Sequence, residues 1–384
     1  MEQQSPLYDK ANSILQIRRS RAEDQAVFDR IAKFAAEQIE SSQSDYGNRI
    51  IRQACVELLE PKDSERARSF FLREHVIEEM KRLADEELGR YLFYRYRYDV
   101  FPQTKELDDY PPCLQIEPTS ICNYRCVFCF QTDSDFTRPA NGHMGMMTFE
   151  LFREIVDQAA GQCEAITLAS RGEPLICKDI ERMLSYTAGK FLAMKINTHA
   201  GFLDERKAHA ILAAGVSTIV FSADAASEPL YSQLRVNGNL NRVVANIERF
   251  QKIRTTQYPG SRTIARVSGV RYREDQNLDA MERFWGNLVD QVAFVDYNPW
   301  ENTYERPFSG TEPPCSDLWR RMFVWWDGRV NPCDVDYKSL LAVGRVTESS
   351  LSTLWRSEPY NRLREMHLSR QRSQVFPCQR CTVT

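Results

Sequence analysis

Between residues 112 and 300, short apolar runs alternate with helical periodicity six times, and nothing else in the sequence narrows the fold as far. The runs are CLQIEPTS, AITLASRGEP, AMKINTHA, STIVFSAD, TIARVSGV and QVAFVDYN, with amphipathic stretches near 148–160, 179–188, 204–214, 241–254 and 277–288 between them. Repetition of this kind builds a parallel sheet, because each crossover helix returns the chain to the same end of the next strand. Six units predict an α/β protein with a partial (β/α)6 TIM-like barrel over 112–309. Thr148 and Asp204 stand where helix N-caps belong, and Gly215 where a helix stops. Active sites of βα barrels gather at the carboxyl ends of the strands, so the residues just after each run matter most.

The flanks read differently. Residues 1–111 predict an N-terminal helical region: Val27, Phe28, Ile31, Phe34 and Ile39 recur at helical steps, and Ile50, Ile51, Ala54 and Leu58 repeat the pattern. Pro61 closes that helix, and a third is expected from about Ser64 through Leu92. The aromatic stretch YLFYRYRYDVF is expected to pack against the following domain. Residues 310–384 predict a small α+β module, with RRMFVWWDGRVNP as a hairpin turning at Asp327-Gly328 and a helical segment from about Leu351 to Leu368. So small a unit gains from a metal centre that staples it.

With 50 Lys and Arg against 53 Asp and Glu, no global charge draws the chain to nucleic acid. The first twenty residues carry charges where a signal peptide is apolar, and no later run of about 18 apolar residues follows. A cytoplasmic protein without membrane contact is expected.

Eleven cysteines in such a chain predict metal or redox chemistry rather than a disulfide framework. Cys55, Cys113, Cys163 and Cys177 are isolated, and an isolated cysteine is by default a small buried hydrophobe. Cys122, Cys126 and Cys129, in CNYRCVFCF, directly follow the first strand. A structural zinc wants four protein ligands, whereas three thiolates on a four-iron cluster leave one iron open to a substrate or cofactor. Cys315, Cys333, Cys378 and Cys381 supply four thiolates, enough for zinc or for a complete cluster.

CNYRCVFC resembles the Cys-x3-Cys-x2-Cys signature of the radical S-adenosylmethionine (SAM) superfamily, with Phe128 at the family's aromatic position. The resemblance extends over about 112–300. It implies a [4Fe-4S] cluster on Cys122, Cys126 and Cys129, with S-adenosylmethionine on the open iron. It also implies one-electron cleavage to a 5'-deoxyadenosyl radical that abstracts hydrogen, and a flavodoxin- or ferredoxin-type reductant. SRGEP resembles the Gly-Glu-Pro element that receives the methionine ammonium, which points to Gly172 and Glu173; Arg171 stands where the familiar form has a further glycine. By the same resemblance FSADAASEPLYSQLRVNG puts Ser222 at the ribose and Arg235 at the methionine carboxylate, and Asn197 is a further ribose candidate. The four C-terminal cysteines resemble the auxiliary-cluster module called twitch, the shortened relative of SPASM. They imply one auxiliary [4Fe-4S] cluster.

A fully ligated cluster beside a radical site suits an electron acceptor. The resemblance therefore implies dehydrogenation at an alcohol carbon of a sugar, aminocyclitol or nucleoside-type small molecule, favoured over a peptide. Loss of the hydroxyl proton needs a base. Asp296, Tyr297, Glu301, Tyr304 and Arg306 lie between the sixth strand and Cys315, with Asp296 and Glu301 the leading candidates. The alternatives are a peptide-modifying enzyme, a redox-neutral sugar epimerase in which Cys177 returns hydrogen, and a zinc- or cluster-stabilised binding protein.

Overall fold

A computed structural model describes residues 14–17, 24–40, 45–59 and 70–384. Pro61 and Ser64, expected to bound helices, lie outside the described residues. Among the described residues ten strands form one sheet: β1 (Ile14–Ile17), β2 (Cys113–Ile116), β3 (Ala165–Leu168), β4 (Ala193–Thr198), β5 (Thr218–Ser222), β6 (Ile264–Arg271), β7 (Gln291–Asp296), β8 (Arg321–Val324), β9 (Arg329–Asn331) and β10 (Gly344–Arg345). Their spatial order is β1-β7-β6-β5-β4-β3-β2-β8-β9-β10. Strands β2 to β7 are mutually parallel and correspond to the six apolar runs, so the α/β fold with a partial (β/α)6 barrel stands.

Alternation along each strand explains the two faces. Leu114, Ile116, Ile166, Leu168, Met194 and Ile196 join the main hydrophobic core with Phe152, Ile155 and Met183 of the crossover helices. The intervening Gln115, Thr167, Lys195 and Asn197 turn the other way, into the barrel interior. The crossover helices start on side-chain caps: Thr148 accepts from the Leu151 N–H at 3.3 Å and Asp204 from the Lys207 N–H at 2.9 Å. Each cap satisfies an amide that the helix itself leaves unpaired.

Both sheet edges carry strands from outside the six units. At one edge β8 runs parallel to β2 in the register Arg321↔Cys113 to Val324↔Ile116. The hairpin expected within a separate C-terminal module thus extends the barrel sheet, with β9 and β10 following antiparallel. At the other edge β1, whose ILQI sequence gave no strand expectation, lies antiparallel on β7. Edge backbone groups that would face water instead find partners. The expected helix over 351–368 is two helices, Leu351–Trp355 and Glu358–Leu368, broken where Pro359 removes an amide donor.

The N-terminal helices α1 (Asp24–Glu40), α2 (Tyr46–Leu59), α3 (Glu74–Met80) and α4 (Leu88–Thr104) cover the amino end of the barrel. Tyr91, Tyr94, Tyr96 and Phe101 of α4 pack in a second core with the strand starts Cys113, Ala165 and Ala193. Arg95 and Arg97 of the same helix are buried and ion-paired, to Asp99 at 2.7 Å and to Asp108 at 2.9 Å. The carboxyl ends of the strands remain as the mouth. Among the described residues no helix is long and apolar enough to cross a membrane.

Candidate active site

The chain leaves β2 through Glu117 and reaches the first thiols within six residues. Arg125–Cys126 forms a short antiparallel ladder with Arg235–Val236, which sets Cys126 opposite Arg235. The Tyr124 N–H donates to the Cys122 sulfur at 3.4 Å, and a guanidinium nitrogen of Arg235 stands 3.7 Å from the Cys126 sulfur. Burial pushes the Cys129 thiol up to about 12, and Cys126 beside it adds to the rise. Soft donors that are this costly to ionise alone, yet already approached by N–H groups, fit thiolates held by iron.

The SRGEP loop packs backbone to backbone against this segment. A Cβ on Gly172 would stand 2.3 Å from the Thr119 carbonyl oxygen and 2.6 Å from that of Ile121, so only glycine fits. Ser170 holds φ at 145°, a region that residues with a side chain rarely adopt. The Glu173 carboxylate accepts from the Thr198 hydroxyl at 2.6 Å, the His199 N–H at 2.8 Å and the Leu175 N–H at 3.1 Å, with the His199 ring 3.3 Å away. The carboxylate thus ties this loop to the end of β4. His199 stacks on Tyr124 with ring centroids 3.8 Å apart, and burial lowers its pKa although Glu173 opposes the shift.

Asn197, at the end of β4, is exposed towards the mouth, and Ser222 ends β5 beside Ser268. Arg235 is buried and paired with Asp224 at 2.6 Å, and its guanidinium carbon lies 5.7 Å from the Phe128 ring centroid. Phe128 packs in turn on Tyr272 at 5.4 Å. Tyr124, Thr198, His199 and Asp224 were missed from sequence. The signal was adjacency: Asp224 follows Ser222 by two residues, and Thr198-His199 continues directly from Asn197.

Arg171 fills the place of the missing glycine and points elsewhere. It makes two bonds to the buried Glu117 carboxylate, at 2.7 and 2.6 Å, and donates to the Tyr337 carbonyl oxygen at 2.8 Å. Its guanidinium lies 4.2 Å from the Trp325 ring centroid. The residue therefore joins the barrel to the C-terminal region.

In that region Cys315, Cys333, Cys378 and Cys381 line one cavity together with Leu318, Val335 and Leu341. Among the described residues no trio of His, Cys, Asp or Glu closes on a point that a lone metal ion would occupy. The four cysteines instead border a common volume, and backbone N–H groups of Asp336 and Val383 donate to the sulfurs of Cys333 and Cys381 at 3.4 Å each. Buried Arg372 holds the segments together through the carbonyl oxygens of Pro313 and Cys381, at 2.9 and 2.8 Å. The donor set and its N–H partners fit an iron-sulfur cluster.

Between the two sets of thiols lies a small aromatic core. Phe130, next to Cys129, stacks on Tyr337 at 4.8 Å, and Tyr337 meets Tyr304 at 4.9 Å. The Tyr304 hydroxyl donates to Asp336, three residues beyond Cys333, at 2.8 Å. Glu301 borders this core: one carboxylate oxygen accepts from the Tyr297 hydroxyl, and the other is buried without a partner. Glu301 is also close enough to Cys129 to raise its pKa. Asp296, by contrast, is paired with Arg271 at 2.6 Å and its side chain is 39% exposed. Cys177 is 3% exposed within the main core, with burial pushing its thiol up, so its side chain is packed rather than presented to the mouth.

Comparison with known proteins agrees with this geometry. The radical SAM superfamily profile matches residues 116–282, and that of an iron-sulfur cluster-binding domain, SPASM, matches 315–382. A GTP 3',8-cyclase of Clostridium botulinum is 27% identical over 35% of this chain and 42% of its own length. An AdoMet-dependent heme synthase of Methanosarcina barkeri is 28% identical over 37% of this chain and 40% of its own. The chain thus spans less than half the length of these relatives. The crystal structure of Streptococcus suis SuiB bound to S-adenosylmethionine shares the fold, with a TM-score of 0.52, 14% identity and 86% of each chain covered. The cofactors of these domains are a [4Fe-4S] cluster with S-adenosylmethionine and auxiliary iron-sulfur ligation. The chain carries a radical SAM domain followed by a SPASM iron-sulfur cluster-binding domain.

Proposed function

We propose that this protein is a radical oxidoreductase that dehydrogenates an alcohol carbon of a polar small molecule of the sugar, aminocyclitol or nucleoside type. The single observation that carries the reading is the cavity bordered by all four C-terminal thiols. Four protein ligands leave one auxiliary cluster no open iron for substrate, which suits it to taking an electron. When bound, the cofactors at the mouth would supply hydrogen-atom abstraction, and a cluster on the four C-terminal thiols would supply an electron acceptor.

The protein's own residues do the rest. Cys122, Cys126 and Cys129 hold the first cluster and Cys315, Cys333, Cys378 and Cys381 the second. Asp224 fixes the Arg235 guanidinium, which would pair with the methionine carboxylate. Glu173 positions the Gly172 backbone against the ammonium, Ser222 and Asn197 face the ribose, and Phe128 covers the loop. The partnerless oxygen of Glu301 takes the hydroxyl proton, so that a C–H and an O–H bond give way to C=O with one hydrogen atom, one proton and one electron removed.

The test is anaerobic incubation with S-adenosylmethionine, a low-potential reductant and candidate polyols or peptides, read by mass spectrometry. A product two hydrogens lighter, formed with 5'-deoxyadenosine, is expected from a polyol. A product isomeric with its substrate and carrying one solvent deuterium would replace dehydrogenation by epimerisation.

A further inference from the structure

The barrel interior is charged at its amino end, where neither a cluster nor a substrate is assigned. A cavity of about 170 Å³ lies between α4 and the starts of the strands, lined by Arg73, Arg95, Asp99, Lys195, Arg266 and Arg321, with His75 at its side. The carboxylates in contact are already used: Asp99 pairs with Arg95 at 2.7 Å, and Glu79 pairs with Lys195 at 2.7 Å. The side-chain hydrogen bonds of Arg266 and Arg321 go to neutral acceptors, the Gln291 side-chain oxygen at 2.7 Å and the Tyr98 hydroxyl at 2.9 Å, with Glu79 and Asp317 acting on them electrostatically. Two guanidinium N–H groups on this cavity, Nε of Arg95 and Nη2 of Arg266, are buried with no hydrogen-bond partner, on residues that are 3% and 7% exposed.

Charged donors out of water seek an acceptor, and like charges confined together seek a counter-ion. Burial and then the Arg95 guanidinium hold His75 well below its usual range with Glu79 opposing, and burial lowers Lys195, which Glu79 raises and Arg266 lowers. We propose that this cavity binds a free tetrahedral oxyanion of the phosphate class, bridging Arg95, Arg266 and Arg321 and thereby joining helix α4 to β6 and β8. Two guanidinium groups whose side-chain hydrogen bonds go to neutral oxygens match a dianion, and planar forks of N–H donors match its oxygens. The site is a structural anion site at the end of the barrel away from the mouth, independent of the proposed reaction.

The experiment is calorimetry of the anaerobically reconstituted full chain, with inorganic phosphate titrated at ionic strength held constant by chloride. Phosphate is expected to raise the melting temperature saturably. Arg266→Met should abolish that rise, and in phosphate-free buffer it should melt no lower than the parent, because it relieves repulsion. An Arg266 of purely structural value would instead make the variant melt lower in both buffers, which would overturn the proposal, as would an equal phosphate shift in parent and variant. A pentose phosphate monoester should not protect; equal protection by it would assign the cations to a substrate and overturn the free-anion site. If Arg266→Met does not accumulate, Arg266→Lys keeps the charge and loses the fork, and should raise the half-saturating phosphate concentration at least tenfold. Unchanged half-saturation would overturn the bridging role.

Discussion

Cys122, Cys126 and Cys129 sit within eight consecutive residues on one loop, whereas Cys315, Cys333, Cys378 and Cys381 are gathered from a segment before β8, another after β9 and a terminal turn. The first set borrows its shape from a barrel that is folded without it: its loop is held by Gly172, Arg235 and the ladder at Arg125–Cys126. The second set shapes its own surroundings, since its cavity walls are the segments that the thiols would tie together. Loss of the first should therefore cost chemistry, and loss of the second should cost local order as well.

The sharpest way to break this contrast is to replace Cys122, Cys126 and Cys129 together by serine. Reductive cleavage of S-adenosylmethionine should fall to background and iron should drop from about eight to about four per chain, with the thermal transition of the barrel retained. A large fall in that transition would mean that the loop, too, is organised by its metal. Next in size, Cys378→Ala with Cys381→Ala should leave cleavage detectable while oxidised product disappears. Amide exchange should quicken over 310–384 and not over the barrel strands; uniform exchange would erase the distinction between the two sets.

Glu301 lies between the sets and tests whether their junction is the site of chemistry. Glu301→Gln keeps the shape and removes the base, so turnover should fall by roughly 10²–10⁴ while iron content and S-adenosylmethionine affinity stay put. Normal turnover would move the base elsewhere. The smallest effect belongs to Asp296→Asn, which breaks a half-exposed pair with Arg271 and should cost at most about 1 kcal/mol in a denaturant titration. Turnover should be unchanged; a loss comparable to that of Glu301→Gln would reverse the assignment of the two carboxylates.

The same contrast governs what the sequence discloses. CNYRCVFC carries its ligation pattern in neighbouring residues, and the six apolar runs carry theirs in a period of two followed by a period of 3.6, so both are legible locally. The pairing of β8 with β2 depends on residues 113 and 321 meeting, and no local period encodes a partner that distant. Strand β1 is hidden for a related reason: four residues are too short a pattern to separate from a turn. Arg171 reads as a departure from a glycine motif until Glu117, 54 residues earlier, is seen to accept from its Nε and Nη2 groups. Glu173 reads as a ligand contact, and its carboxylate also braces the loop, because Thr198 and His199 arrive from the next strand.

The continuity of the sheet across β2 and β8 also sets an order of events during synthesis. Strand β2 emerges from the ribosome with one neighbour, β3, soon to follow, but its other flank stays open until roughly 200 further residues have been made. At about 5–20 residues per second that flank is bare for roughly 10–40 s. The thiol loop leaves from the carboxyl end of this same strand, and Tyr337 packs on its Phe130 only afterwards. On the proposed ligand assignment, Cys122, Cys126 and Cys129 would be open to iron before Tyr337 packs beside them, while a site on Cys315, Cys333, Cys378 and Cys381 would have to wait until Cys381 has been made.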